Sequence, residues 1–217
     1  MLIVDAEIPC KTVILCGTMV IPAGARGIVL FAHGSGSSRH SPRNQFVARH
    51  IHQSGNGTLL FDLLTPDEEI EDRDTGGLRF NITLLTSRLV DATQWVIGQP
   101  AAGKLGIGYF GSSTGGAAAL SAAARVGQRI SAVVSRGGRP DLAHESLAFV
   151  HSPTLLIIGQ NDHEVVQLNE AAYAELRCEK ELKLVPGATH LFEEPGTLQI
   201  VADWAARWFC RHLHTNA

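Results

Sequence analysis

Continuous apolar runs that alternate with helical patterns constrain the fold of this chain more than any other feature. Most of these runs lack the polar alternation of a half-exposed strand, which is typical of strands covered on both faces. We predict strands over residues 12–21, 27–32, 57–63, 104–110, 130–135, 154–159 and 181–185. Apolar spacings of three and four predict helices over residues 78–96 and 198–213, and further helical patterns cover residues 44–54, 114–126 and 166–178. The alternation predicts a mostly parallel sheet between two helical layers, a three-layer α/β/α sandwich.

The edges of the predicted sheet and the number of domains follow from connection lengths and chain length. The strand predicted over residues 12–21 joins the first strand of the chain near residues 9–11, and no helix lies between them. We therefore expect these two strands to form an antiparallel N-terminal edge. A chain of 217 residues, 45% of them hydrophobic, fits a single domain over residues 1–217. Fewer than 20 residues lie between the predicted strands that end at Ser135 and begin at Thr154, which leaves no room there for a cap domain. Exposed strand edges could pair with those of a second copy, so a homodimer is one alternative for the assembly.

Composition narrows the classes of partner. The formal net charge is −3 and no run of Lys or Arg occurs, so we expect no nucleic-acid partner. No apolar run approaches the roughly 20 residues of a membrane span, and the N-terminal residues lack a signal-peptide pattern. The four cysteines show no metal-ligand spacing, and we expect neither a metal nor a cofactor. These features predict a cytoplasmic protein, without membrane attachment, that acts on a small molecule.

The longest segment without periodicity covers residues 64–77, LTPDEEIEDRDTGG, and is acidic. We expect a solvated surface loop, with a mobile flap over a binding site as the functional alternative. Neither interpretation places a helix or a strand here.

The stretch GYFGSSTGG, residues 108–116, follows a predicted strand and leads into an alanine-rich helical pattern. Gly111, Ser113 and Gly115 fit the pattern G-x-S-x-G, in which a sharp strand-to-helix turn holds a serine hydroxyl above the sheet edge. The glycines remove side chains that would collide where strand and helix meet. Ser112 lacks a glycine two positions earlier, so we predict Ser113 as the nucleophile, with Ser112 as the lesser alternative. A glycine-rich turn without chemistry is the structural alternative.

A serine nucleophile needs a general base and an acid that orients the base, and in this architecture the chain order is Ser, then Asp or Glu, then His. Asp162 comes just after the predicted strand 154–159, in the spacing G-x-x-D-x-x-V, and Glu164 is the competing carboxylate. His190 follows the last predicted strand, downstream of both Ser113 and Asp162. We therefore predict His190 as the general base, and His163 as a weaker candidate.

Two backbone N–H groups must also face the negative charge that develops on a substrate carbonyl. The N–H of Thr114, the residue after the nucleophile, is the first predicted donor of this oxyanion hole. The second should come from the loop HGSGSS, residues 33–38, where we predict Ser35, with Gly36 as the alternative. This loop matches neither the P-loop nor the dinucleotide-binding fingerprint.

Five segments that span nearly the whole chain carry a family resemblance: HGSGSSRHSPRN, GYFGSSTGG, SRGGRPD, LLIIGQNDHEV and VPGATHLFEEPG. Together they resemble the α/β-hydrolase superfamily, in particular its small, capless, dienelactone-hydrolase-like branch. The resemblance implies an eight-stranded sheet with Ser113, Asp162 and His190 as the triad. Dienelactone hydrolases proper use a cysteine nucleophile, whereas this chain has Ser113. The family name therefore does not define the activity. The first and third segments also resemble the hydrolase portion attached to phosphoribosyltransferase domains in some bacteria, and we expect no such domain within these 217 residues.

Several arginines cluster where the carboxyl edge of the predicted sheet should lie: Arg39, Arg43, Arg79, Arg136 and Arg139. Guanidinium groups match carboxylates and phosphates, so one hypothesis is an anionic substrate bound by Arg39 or Arg136. The competing interpretation is that these arginines pair with nearby acidic residues and fasten loops.

The favoured function is that of a serine hydrolase that cleaves a small carboxylic ester, lactone or thioester through an acyl-enzyme on Ser113. The first alternative is an acyltransferase or perhydrolase that uses the same triad. The second is a non-catalytic binding module on the same fold, which an intact set of Ser, Asp and His disfavours.

Overall fold

The computed structural model describes residues 1–215, which form eight strands in one sheet and seven α-helices. The strands are β1 Leu2–Cys10, β2 Val13–Ile21, β3 Gly27–Ala32, β4 Gly57–Phe61, β5 Gly106–Ser112, β6 Ile130–Arg136, β7 Thr154–Gly159 and β8 Lys180–Val185. The helices are α1 Pro42–Gln53, α2 Pro66–Thr75, α3 Ile82–Ile97, α4 Thr114–Val126, α5 His144–Leu147, α6 His163–Glu175 and α7 Thr197–His212. Short 3-10 turns lie at Gly127–Arg129 and Pro140–Ala143.

The strand order in the sheet is β1-β2-β4-β3-β5-β6-β7-β8. Strands β4, β3, β5, β6, β7 and β8 run parallel to one another, whereas β2 pairs antiparallel with both β1 and β4. The predicted fold class is therefore confirmed, including the antiparallel N-terminal edge. Because parallel strands present their carboxyl ends at one edge, the loops after β3, β5, β6, β7 and β8 meet there.

Helices cover both faces of the sheet and bury two apolar clusters. Along β3, Ile28 and Leu30 belong to the cluster beneath α3 and α4, while Val29 and Phe31 belong to the cluster beneath α1 and α7. All six residues of β3 are buried. This two-sided burial explains why the strands have continuous rather than alternating apolar sequences.

The prediction of an irregular loop over residues 64–77 was wrong, because this segment contains α2. The Thr65 side chain accepts the Glu68 N–H while the Glu68 carboxylate accepts the Thr65 N–H, which forms a capping box. Pro66 suits the first turn, and Gly76 ends the helix with a φ of 65°. Arg88 of α3 also binds the Glu68 carboxylate, with one contact of 2.7 Å. These contacts stabilise a helix whose acidic sequence shows little apolar periodicity.

Other helix ends differ from prediction by a few residues, for local reasons. The helix predicted from residue 78 begins at Ile82, because the Asn81 side chain caps it by accepting the Leu84 N–H. The helix predicted over residues 166–178 is α6, which begins at His163. Between β6 and β7, residues 137–153 form a 3-10 turn and the four-residue helix α5. No separate cap domain lies in this described segment.

Candidate active site

Ser113 lies in the sharp turn between β5 and α4. Its φ of 50° and ψ of −121° are values that residues with a side chain rarely adopt. A Cβ on Gly115 would lie 2.0 Å from the Ala32 carbonyl oxygen, and a Cβ on Gly111 would lie 2.4 Å from the Gly115 carbonyl oxygen. Glycine at both positions therefore lets strand and helix approach closely, as the G-x-S-x-G pattern predicts. The turn places Ser113 at the carboxyl edge of the sheet.

The loop of residues 33–38, which we call the oxyanion loop, packs against this turn. A Cβ on Gly34 would lie 3.0 Å from the Ser112 carbonyl oxygen and 3.1 Å from Ser113 Cβ. The Ser35 N–H donates to Thr114 Oγ1 across 3.1 Å. Thr114 opens α4, so its own N–H has no acceptor within that helix. The two residues predicted as oxyanion donors are thus in direct contact.

Buried His33 fixes the oxyanion loop. Its Nδ1 donates to the Gly34 carbonyl oxygen across 3.0 Å, and its Nε2 accepts the Leu63 N–H across 2.9 Å. Burial lowers the pKa of His33, against smaller raising effects from the Gly34 hydrogen bond and the Glu69 charge. His33 is therefore neutral at pH 7 and ties the loop to the segment after β4. The sequence signal for this role is the place of His33, directly after the buried strand β3.

Asp162 and His190 meet at the same edge of the sheet. Asp162 lies between β7 and α6, His190 lies between β8 and α7, and His190 Nδ1 is 2.6 Å from Asp162 Oδ2. A proton on Nδ1 donates to the carboxylate and leaves Nε2 free to accept another proton. Within residues 1–215, His190 makes no hydrogen bond or ion pair with Glu164. Asp162, rather than Glu164, is therefore the carboxylate that contacts His190.

The loop that follows β6 touches both Ser113 and His190. The Ser113 N–H donates to the Arg136 carbonyl oxygen across 3.3 Å, and the Arg139 N–H donates to the Ser113 carbonyl oxygen across 3.1 Å. A Cβ on Gly137 would lie 3.5 Å from ring atoms of His190. No hydrogen bond joins Ser113 Oγ to His190 in the part of the chain that the structure describes. Hydrogen bonds between a nucleophile and its base are often long without substrate and tighten when substrate binds.

The α6 side chain Asn169 supports that loop from below. Buried Asn169 donates through Nδ2 to the Gly138 carbonyl oxygen across 2.9 Å and to the Val165 carbonyl oxygen across 2.8 Å. The sequence pattern carried no signal for this contact, because Asn169 is 31 residues away from Gly138 along the chain.

A cavity of about 540 Å³ opens beside the oxyanion loop. Its walls come from the oxyanion loop, from Thr114, from Arg43 of α1, and from Glu69, Asp72 and Arg73 of α2. Helix α2, which lies in the segment 64–77, therefore forms one wall of this cavity as a capped helix rather than a loop.

Most of the clustered arginines hold loops together. The Arg39 guanidinium pairs with Asp62, whose Oδ1 also accepts the Arg39 N–H across 2.7 Å. Arg79 pairs with Asp72 at 2.5 Å, and Arg139 with Asp141 at 2.7 Å. Arg136 differs from these three, because only 7% of its surface is exposed and it forms no ion pair within the described residues.

Residues 1–215 contain neither a cluster of metal ligands nor a membrane-spanning helix. Among them, no three His, Cys, Asp or Glu side chains come together as metal ligands. No helix in this range combines the length and apolar character that crossing a membrane requires.

The strand order and the serine turn define the fold as that of an α/β hydrolase. A dienelactone hydrolase of Anabaena variabilis is similar in structure, with a TM-score of 0.96 and 53% sequence identity over 98% of this chain and 99% of that one. The protein Est1E of Butyrivibrio proteoclasticus shares the fold at a TM-score of 0.80 and 14% identity, over 95% of this chain and 98% of that one. The model of the dienelactone hydrolase family matches residues 17–213. The chain therefore belongs to the dienelactone hydrolase family.

Curated relatives of this chain are longer. Proteins from two strains of Mycobacterium tuberculosis, which carry the provisional name of phosphoribosyl transferase, are 53% identical over 209 residues. The match covers 96% of this chain and 46% of those proteins. The chain thus spans about half the length of the curated relatives it matches.

Proposed function

We propose that this protein is a serine hydrolase that cleaves small carboxylic esters, lactones or thioesters through an acyl-enzyme on Ser113. One observation carries the proposal: Ser113 is held in a strained strand-to-helix turn at the same sheet edge where His190 Nδ1 lies 2.6 Å from Asp162 Oδ2. Strained backbone of this kind persists where the surrounding structure imposes it, and it concentrates at active sites. Membership of a hydrolase family agrees with this chemistry.

In the proposed reaction, His190 Nε2 takes the proton from Ser113 Oγ as that oxygen attacks the substrate carbonyl carbon. Asp162 holds the tautomer with the proton on Nδ1 and stabilises the imidazolium that forms. Collapse of the tetrahedral intermediate breaks the bond to the leaving alkoxide or thiolate, which receives the proton from His190. Water then attacks the acyl-enzyme with His190 again as base, and releases the carboxylic acid and free Ser113.

The oxyanion of the tetrahedral intermediate would lie between the Thr114 and Ser35 segments. In the structure Thr114 Oγ1 accepts the Ser35 N–H, so a substrate oxygen must share that donor with the hydroxyl or use the adjacent Gly36 N–H. Either geometry keeps the Thr114 N–H as the first donor.

The site suits short acyl groups. The segment between β6 and β7 forms only small helical elements, and the cavity beside the oxyanion loop is about 540 Å³. Acyl transfer and perhydrolysis use the same residues and differ only in the molecule that attacks the acyl-enzyme.

Steady-state kinetics test the proposal with a short aryl ester, a small lactone and a short thioester. The wild-type protein should turn over at least one of the three, and Ser113→Ala should lower its kcat/KM by about 10³-fold or more. Ser112→Ala is the matched control and should retain most of the activity. A folded Ser113→Ala protein that keeps wild-type kcat/KM would refute the assignment. Added short alcohols report acyl transfer by diverting the product from acid to ester.

A further inference from the structure

Arg136 is a buried, positively charged residue beside the serine turn. It is the last residue of β6 and lies opposite Ser112 of β5 in the strand register. Its Nε and Nη1 are buried, and neither has a hydrogen-bond partner among the described residues. An unpaired charge in the interior is costly, because the protein must remove water from it without replacing the lost interactions. The arrangement points to an anion that arrives with a ligand.

Arg43 supplies a second guanidinium at this place. It lies in the first turn of α1 and lines the cavity beside the oxyanion loop. Its Nη1 donates to Glu193 Oε1 across 3.0 Å, whereas its Nε is buried without a partner among residues 1–215. Burial, and then the charge of Arg43, lower the pKa of Arg136 to about 10. Arg136 is therefore protonated at pH 7. Arg136 contacts Phe192 and Arg43 contacts Glu193, the next residue, so both guanidinium groups lie against the same loop.

The contact of Arg136 with the aromatic ring of Phe192 does not satisfy its N–H groups. Its guanidinium carbon lies 5.7 Å from the centre of the Phe192 ring, within the range of a cation–π interaction. Such an interaction acts through the ring face and leaves the N–H donors without acceptors. Phe192 is two residues after His190, so Arg136 borders the loop that carries the proposed general base.

We propose that Arg136 and Arg43 bind a phosphate monoester group of the substrate, whose ester carbonyl then reaches Ser113. The inference rests on the proposed function and adds the class of substrate. Three buried nitrogens lack a partner among the described residues, two on Arg136 and one on Arg43, and they equal in number the three terminal oxygens of a phosphate monoester. Its charge of about −1.5 to −2 is opposite in sign to that of both guanidinium groups, of which Arg43 also pairs with Glu193. A carboxylate offers only two oxygens and a single charge.

Three acetate esters of similar size test the proposal. They are 2-hydroxyethyl acetate, which is neutral, 2-acetoxyethyl phosphate, and 3-acetoxypropanoate, which carries a carboxylate. Wild-type kcat/KM should be about 10- to 100-fold higher for the phosphate than for the neutral ester, the range expected for charge-assisted hydrogen bonds to guanidinium groups. A carboxylate ester that is preferred as strongly as the phosphate ester would overturn the choice of phosphate.

Variants assign the preference to the two arginines. Arg136→Gln and Arg43→Gln should each reduce the ratio of phosphate to neutral kcat/KM by about tenfold, and Arg136→Lys should retain part of it. The ratio is the readout because it cancels a general loss of activity. Arg207→Gln, at an exposed position of α7, is the matched control and should keep the wild-type ratio. If Arg136→Gln does not fold, the more exposed Arg43→Gln variant decides the question, and an unchanged ratio there overturns the proposal.

Binding of inorganic phosphate separates this inference from the proposed function. Calorimetric titration of the Ser113→Ala protein should show saturable phosphate binding that Arg43→Gln weakens about tenfold. Absence of phosphate binding, with neutral esters still hydrolysed at Ser113, would overturn the phosphate site and leave the hydrolase proposal intact. Phosphate binding without hydrolysis of any ester would instead support the anion site and count against the hydrolase proposal.

Discussion

The Ser35 N–H donates to Thr114 Oγ1 across 3.1 Å, which ties the oxyanion loop to the first residue of α4. The contact joins segments that are 79 residues apart along the chain. It sets the separation of the two backbone segments between which the oxyanion would lie, so its loss should slow the chemical step.

Removing the Thr114 hydroxyl tests the role of this hydrogen bond. Thr114→Val keeps the branched shape but offers no acceptor, and we expect kcat/KM for a neutral ester to fall about tenfold as the loop loosens. Thr114→Ser preserves the acceptor and should stay within about threefold of wild type. Equal activities of the Val and Ser variants would show that the hydroxyl does not position the loop.

Asp162→Asn should greatly lower the rate of ester hydrolysis without loss of the fold. An amide in place of the carboxylate favours the wrong His190 tautomer, and we expect kcat/KM to fall by about 10³- to 10⁴-fold. Glu164→Gln removes the neighbouring carboxylate, which is exposed, and should leave kcat/KM within about threefold. A larger loss for Glu164→Gln than for Asp162→Asn would reverse the assignment of the acid.

Gly115→Ala should destabilise the whole fold. The added methyl group would lie 2.0 Å from the Ala32 carbonyl oxygen, so β3 and α4 would have to separate. We expect a loss of about 4 kcal/mol or more in the free energy of unfolding, measured in urea. At Gly77 the same methyl group meets its nearest atom at 3.6 Å, and Gly77→Ala should change stability by about 0.5 kcal/mol at most. Similar unfolding midpoints for the two variants would contradict this packing.

The buried neutral state of His33 makes stability depend on pH. Because burial lowers the pKa of folded His33 below its usual value of about 6.5, the unfolded chain binds more protons as the pH falls. The stabilisation is fully present above pH of about 6.5 and is lost as the pH falls toward the folded pKa. Urea unfolding between pH 5 and 7.5, a range set about the usual His pKa, should therefore show lower stability at the acidic end.

The variant His33→Gln identifies the source of that slope. Glutamine cannot titrate, so the variant should lose less stability on acidification than the wild-type protein does. His151→Gln, at an exposed histidine, is the control and should keep the wild-type slope. Identical slopes for wild type and His33→Gln would show that His33 does not titrate on unfolding.

Local patterns were enough to predict much of this structure. The helix predicted over residues 114–126 and the strand predicted over residues 154–159 have the bounds of α4 and β7. In both cases strong apolar or alanine-rich periodicity coincides with clear turn residues. Helix α2 escaped prediction because its apolar pattern is weak, although the sequence TPDE at residues 65–68 is a capping-box signature that periodicity does not detect.

The site shows where sequence reasoning ends. The order of Ser113, Asp162 and His190 along the chain anticipated the contact between Asp162 and His190. Other contacts between residues that are distant along the chain gave no such signal, because they depend on how the loops pack. Spacing could not tell that Arg39 pairs with Asp62 whereas Arg136 is buried without a partner.

Covalent labelling with a fluorophosphonate tests the central claim most directly. The reagent reacts with serine nucleophiles that a neighbouring base activates, and tandem mass spectrometry locates the adduct. We predict a single adduct on Ser113, absent from Ser113→Ala and His190→Ala and retained in Ser112→Ala. An adduct on Ser112, or no adduct on the folded wild-type protein, would contradict the assignment of Ser113 as an activated nucleophile.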